Sequence, residues 1–303
     1  MDYIDSFAHI LPKNYYQAVL KYDSSIPDKY PFINIPTLTN LGERLKYWPA
    51  SNIKQVISFA NINAEDFTEP VQAAHLAHEG NIELADIVAS HSNYFESGVG
   101  MLALNNIEKS REELEWIAKN KYLVGAQIFT RHLGKSIANE EFEPIFEVAH
   151  KLGLPLWLHP VFDLRKPDNN LVFSWEYELS QAMLQLVQAQ LFKKYPNIKI
   201  IVHHAGAMVP FFAGRIDHIL PPELAADFKK FYVDTAILGN PPALNLALDY
   251  FGIDHVLFGT DAPFAVKPAG ATDLIITAIN KLNLDKAALE QLYSKNYKNL
   301  LSK

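Results

Sequence analysis

The sequence predicts an α/β protein of the (β/α)8 TIM-barrel class, and three observations carry that expectation. Eight short apolar, β-prone runs follow one another along the 303 residues, most of them trailed by a helical pattern. The runs are close to continuously apolar, as strands buried on both faces of a parallel sheet are. No glycine-rich loop of the GxGxxG or GxxxxGK type follows any run. That absence counts against a doubly wound nucleotide-binding sheet, which would show the same alternation of strands and helices. A barrel commonly runs to about 250 residues or more as one unit. No Pro/Gly/Ser-rich linker or charge run divides the chain, so 1–303 is expected to be one domain.

The runs are YIDSFAH (3–9), KQVISFA (54–60), FESGVGMLAL (95–104), LVGAQIFT (123–130), LPLWLHP (154–160), IKIIVHH (198–204), FYVDTA (231–236) and DHVLFGTD (254–261). Between them lie amphipathic patterns. In 140–152, Phe142, Ile145, Phe146, Ala149 and Leu152 share one 3.6-period face. Asn139 can cap that helix, Pro144 sits near its first turn and Gly153 ends it. Segment 176–195 repeats the pattern with Leu179, Met183, Leu186, Val187 and Leu191, and 285–302 with Leu289, Leu292, Tyr293 and Leu300. Residues 11–38 carry four prolines and no clear period. A long irregular connection after the first strand would lie over a barrel mouth, where a lid or substrate wall competes with a plain surface insertion.

Composition narrows the chemistry. A net charge of −7 argues against a nucleic-acid or anionic-membrane surface. With no cysteine, disulfides, thiolate nucleophiles and thiolate metal sites are excluded, leaving His, Asp, Glu and Arg. The opening MDYIDSFAHI lacks the form of a signal peptide, and no apolar stretch approaches the ~20 residues of a membrane span. A cytoplasmic protein acting on a small-molecule carboxylate is the expectation, with monomer and homo-oligomer both open.

Four runs end in groups able to bind metal or move protons: His9 on strand 1, His159 on strand 5, His204 on strand 6 and Asp261 on strand 8. Any one histidine is more often a packed or solvated residue than a ligand. Strand C-termini converge around one mouth in a barrel, however, and a chance placement would have to recur four times. Imidazoles with one carboxylate suit zinc, manganese or iron.

The phrases IDSFAHILP, GLPLWLHP, VHHAGAMVPFFAGRID and DHVLFGTDAPF together resemble the amidohydrolase-2 family, which includes aminocarboxymuconate semialdehyde decarboxylase and resorcylate-type decarboxylases. The resemblance spans nearly the whole chain. It implies a distorted barrel with one divalent metal, zinc or manganese. His9, His159 and Asp261 match its ligand positions, and His204 matches its polarising or proton-transferring histidine. The family's strand-1 pattern is His-x-His or Glu-x-His, whereas this chain has Phe7-Ala8-His9. Side chains two apart share a strand face, so Phe7 stands where a ligand is missing and a phenyl ring cannot donate. The resemblance therefore allows a weakly held metal or none, as in the pyrone dicarboxylate lactonases. Asp5 shares that face a layer deeper and is not a ligand in the family.

Arg131, Arg165 and Arg44 are candidates to pair with a substrate carboxylate. For each, a solvated arginine is the competing reading, and it is the better supported one for Arg165 and Arg44. His203 should alternate away from His204 and face the helices. His132 is a loose candidate, and His255 falls at the stability end of the barrel. The leading expectation is a carboxy-lyase acting on a small aromatic or unsaturated acid, with His204 or Asp261 supplying the proton that replaces carbon dioxide. Hydrolysis of a C–O or C–N bond would use the same residues. A barrel that only binds a ligand is the reading from another class.

Overall fold

The computed structural model describes residues 1–50 and 52–302. Seven parallel strands form one curled sheet: β1 (Tyr3–Ile10), β2 (Ile53–Phe59), β3 (Phe95–Met101), β4 (Leu123–Phe129), β5 (Leu156–His159), β6 (Ile200–Val202) and β7 (Tyr232–Val233), neighbours in that order. The eighth expected run is not a ladder strand, yet it joins β7 to β1. Val256 bridges Val233 and Ala262 bridges Ala8, both in parallel sense. Leu257 N–H donates to Val233 O at 2.7 Å, and Asp261 N–H donates to Phe7 O at 2.8 Å.

Two apolar clusters divide the core. Ile4, Val56, Val99, Trp157, Ile201 and Leu257 pack with Tyr297 and Leu300 from the C-terminal segment. The larger cluster joins the sheet to the helices. Trp157 and His159 lie two apart on β5, so His159 sits directly above the inner apolar layer.

The helices that matter here are α1 (Lys13–Leu20), α2 (Pro70–Ser90), α3 (Ile107–Lys119), α4 (Glu143–Leu152), α5 (Ser174–Gln188) and α6 (Ala213–Ile219). At α4 the Asn139 side chain accepts from Glu141 N–H at 3.1 Å. Gly153 ends the helix at φ +66, the left-handed conformation that glycine adopts without penalty. Leu152 departs from its expected apolar face and is exposed, because the helix ends beneath it. Segment 176–195 breaks at Gln190, whose left-handed backbone separates α5 from a short turn at Leu191–Lys194. Segment 285–302 is helical around a π turn at Gln291–Lys295.

Residues 11–38 form α1 and three single turns, at Ile26–Lys29, Pro31–Ile33 and Pro36–Thr39. The Tyr30 and Phe32 rings lie 5.7 Å and 5.0 Å from Phe162, in the connection after β5. Among the described residues, no helix is long and apolar enough to cross a membrane.

Candidate active site

His9, at the end of β1, is the centre of the cluster. Its Nε2 lies 3.3 Å from His159 Nε2 and 3.2 Å from Asp261 Oδ1. His204 stands across the Phe7 ring, 6.0 Å from it between centroids, while the same ring is 4.7 Å from His9 and 5.6 Å from His159. His9 thus meets His159 and Asp261 directly at the strand C-termini, and His204 lies near the same Phe7 ring. The three imidazoles are buried, and Asp261 keeps 21% of its side chain exposed.

A fault in strand β1 sets this arrangement. Asp5 pairs with Gln55 but Ala8 pairs with Ile57, so one residue bulges between them. A bulge bends its strand and re-aims the side chains beyond it. Below it, Asp5 ties β1 to the eighth run. Its carboxylate accepts from Thr260 N–H at 2.9 Å, Thr260 Oγ1–H at 2.6 Å, Gln55 Nε2–H at 3.1 Å and Phe7 N–H at 3.3 Å. Burial pushes Asp5 up to about 7 despite these four bonds. Gly259 makes room, since a Cβ there would fall 2.9 Å from Asp234 Cβ and 3.1 Å from Phe7 Cβ.

His203 does not face the helices. Its ring stacks on Phe7 at 3.4 Å and 14°, and its Nδ1 lies 2.7 Å from Asp234 Oδ2. It shares the inward face with Ile201, two residues back. The assumption that failed is that His204 is the inward residue of β6. His204 enters the pocket by a different route, because the backbone leaves the strand through left-handed residues at His204 (φ +56) and Ala205 (φ +55). Nothing in the apolar run Ile200–Val202 marks which histidine points inward.

Sequence reasoning also passed over Glu176. In the first turn of α5, an acid reads as a complement to the helix dipole. In the structure its Oε1 lies 2.8 Å from His204 Nδ1. Burial opposes charge on His204, but Glu176, Asp261 and Asp234 outweigh it and raise the imidazole to about 9. His159 is held well below its ordinary value, first by burial and then by His9 and His203. The pocket therefore contains a protonated imidazole beside a neutral one.

The arginines are otherwise engaged. Arg44 is buried and donates to His9 O and, at 2.6 Å, to Gln55 Oε1. Its guanidinium holds the end of β1 from within the wall, so the expectation of a substrate contact there is corrected. Arg131 Nε lies 3.6 Å from Glu178 Oε1. Arg165 donates to Asp163 Oδ1 at 2.7 Å and lies 3.5 Å from Asp66 Oδ1. His132 pairs with buried Glu65 and accepts from Phe129 N–H. His255 faces Lys229 O, away from the cluster.

The model of a family described as amidohydrolase matches residues 47–301. The chain belongs to the amidohydrolase family. One relative is a 2-amino-3-carboxymuconate-6-semialdehyde decarboxylase of Dictyostelium discoideum, 30% identical over 226 residues, 69% of this chain and 62% of that protein. The chain thus matches less than two thirds of that relative's length. A γ-resorcylate decarboxylase of a Polaromonas species is 28% identical over 79% of this chain and 82% of its own. Among solved structures, a 5-carboxyvanillate decarboxylase of Novosphingobium aromaticivorans, crystallised with manganese, superposes with a TM-score of 0.87 at 20% identity, covering 99% of this chain and 96% of that one. That likeness extends to the amidohydrolase fold.

The donor chemistry suits a divalent cation. His9 Nδ1 faces Phe59 O at 3.2 Å and His159 Nδ1 faces Pro160 O at 2.5 Å. A carbonyl at Nδ1 places the proton there and frees the Nε2 lone pair. Two such lone pairs meeting in a buried site call for a positive charge between them, and Asp261 adds its carboxylate from a third side. As the side chains stand, no three His, Asp or Glu residues among the described ones close around an ion-sized point. Phe7 fills one flank.

Proposed function

We propose that this amidohydrolase is a metal-assisted, non-oxidative decarboxylase of a small carboxylated aromatic acid. The observation that carries the reading is the convergence of two Nε2 atoms and the Asp261 carboxylate beside the His204–Glu176 pair. The decarboxylase relatives support the reaction class. His9, His159 and Asp261 would hold a zinc or manganese ion. Such an ion supplies Lewis-acid grip on a carboxylate and a neighbouring phenolic oxygen.

The chain's own residues do the rest. Glu176 keeps His204 protonated at neutral pH, so His204 Nε2 can hand a proton to the ring carbon as the carbon–carboxylate bond breaks and carbon dioxide leaves. Atoms balance: the carboxylate's bonding pair stays on the ring carbon and the imidazolium proton takes its place. Trp175, whose plane lies 20° from that of His204 at 6.5 Å, and Phe264, 5.4 Å from His9, give an aromatic ring apolar walls. Tyr30 and Phe32 of the 11–38 segment extend that wall through Phe162. Arg131 and Arg165 would meet a substrate carboxylate only through guanidinium N–H groups not already turned to Glu178, Asp163 and Asp66.

The test is decarboxylation of γ-resorcylate and 5-carboxyvanillate by protein loaded with manganese or zinc, followed as carbon dioxide release. Asp261→Asn should abolish turnover and keep the melting curve, since an amide has the shape but neither the charge nor the proton-transfer capacity. Absence of decarboxylation across carboxylated phenols, or an Asp261→Asn variant with most of its activity, sinks the proposal.

A further inference from the structure

A carboxylate substrate needs hydrogen-bond donors, and the guanidinium groups near the mouth already face protein acceptors. Arg44 serves His9 O and Gln55 Oε1, Arg131 faces Glu178, and Arg165 faces Asp163 and Asp66. One buried donor in the pocket wall is left over. Trp175 is 9% exposed, and its indole Nε1–H has no acceptor among the described residues. We propose that Trp175 Nε1–H donates a hydrogen bond to the substrate carboxylate, so that this residue selects an acid and not merely an aromatic ring. This role rests on the carboxylated-acid substrate proposed above, goes beyond an apolar wall and requires no metal.

An indole nitrogen is a donor only, so the partner it calls for is a lone pair on oxygen or nitrogen. The chain supplies such partners elsewhere. Trp48 Nε1–H donates to Ile53 O and Trp157 Nε1–H to Ser6 O, each at 3.1 Å. Trp175 stands among pocket residues instead. Its ring lies 5.7 Å from that of His159 at 74°, and 6.5 Å from that of His204 at 20°. Phe32 and Phe162 meet it edge to face at 6.1 Å and 6.4 Å, and neither phenyl offers a lone pair. A buried N–H without an acceptor is unfavourable, and a ligand that satisfies it gains that difference on binding. A carboxylate does so more strongly than a neutral oxygen. The placement suits the chemistry as well. The carboxylate is bonded to the carbon that His204 protonates, so an acid set for that transfer brings its carboxylate beside the ring that neighbours His204. As the carbon–carboxylate bond breaks, the negative charge leaves the carboxylate oxygens and the hydrogen bond weakens. Trp175 therefore acts on affinity for the acid and not on the chemical step.

Trp175→Phe keeps an aromatic wall and deletes the N–H. KM for γ-resorcylate should rise about tenfold with no fall in kcat. The inhibition constant of resorcinol, the same ring without its carboxylate, should stay unchanged. A KM that does not move, or acid and resorcinol weakened alike as a purely structural role requires, would overturn the inference. In isotope-labelled wild type, the indole N–H resonance of Trp175, one of four tryptophans, should shift downfield on saturation with γ-resorcylate and hold its place with resorcinol. A spectrum in which no indole resonance moves although the acid is bound would overturn it alone, even if Trp175→Phe fails to fold. A wild type that neither binds nor decarboxylates any carboxylated phenol would overturn it together with the proposed function.

Discussion

His204 and Glu176 decide the charge of the pocket residue by residue. The imidazole titrates at its ordinary 6.5 in the unfolded chain and at about 9 in the folded one. Because the folded value is the higher, the pair's stabilisation is complete below 6.5 and disappears as pH rises through 9. Glu176→Gln removes the charge that outweighs burial, so the alkaline fall in kcat/KM should move from near pH 9 down to neutrality or below. Melting curves of the variant should lose less stability between neutral pH and pH 10 than those of wild type. An alkaline limb that stays in place would show that His204 is not the titrating acid. His9, His159 and Asp261 could be read from the sequence because each closes a β-prone run, whereas Glu176 and His203 could not. Glu176 acts across space from a helix start that has its own use for an acid. His203 is hidden because Ile200–Val202, just before it, is apolar on both faces, so no alternation reports direction.

Elements carry the next layer of specification, and two glycines separate local from tertiary demands. Gly153 ends α4 at φ +66, and a Cβ there would meet none of the described residues within 4 Å, so Gly153→Ala should cost only the left-handed penalty, about 1 kcal/mol. Gly259 has no such backbone need, but a methyl there meets Asp234 and Phe7 inside the barrel. Overpacking of this kind costs roughly 1–3 kcal/mol, and here it also pushes on the two residues that bracket His203. Gly259→Ala should therefore lower both the denaturation midpoint and kcat/KM, because Phe7 packs on His9, while Gly153→Ala lowers the first alone. Equal kcat/KM in both variants would contradict this account of the site. The same contrast explains which elements were legible. The α4 ends follow from Asn139 and Gly153, local signals that the chain obeys. The bulge in β1, the break at Gln190 and the eighth run's lack of a ladder are set by neighbours far away in sequence, as when Ser6 N–H meets Phe258 O.

Across the whole molecule, the barrel separates stability from chemistry along its axis. The cluster of His9, His159 and Asp261 lies at the strand C-termini, and the inner layer from Ile4 to Leu257 lies beneath it. The opposite end is closed by the C-terminal segment, where Tyr297 OH and Ser97 Oγ meet at 2.5 Å in a buried pair. Tyr297→Phe deletes that bond and leaves the Ser97 hydroxyl without its partner. The cost should be about 1–3 kcal/mol. At roughly 2–4 °C per kcal/mol for chains of this order of size, the melting temperature should fall by several degrees. Neither zinc affinity nor kcat/KM on γ-resorcylate should change, because the whole inner layer stands between Tyr297 and the histidines. Intact geometry at the strand C-termini with a weakened opposite end is what a barrel's division of labour requires. A Tyr297→Phe protein that melted normally would show that the plug contributes nothing. One that melted lower but also lost tenfold or more in kcat/KM would show that the inner layer transmits strain to the pocket instead of insulating it.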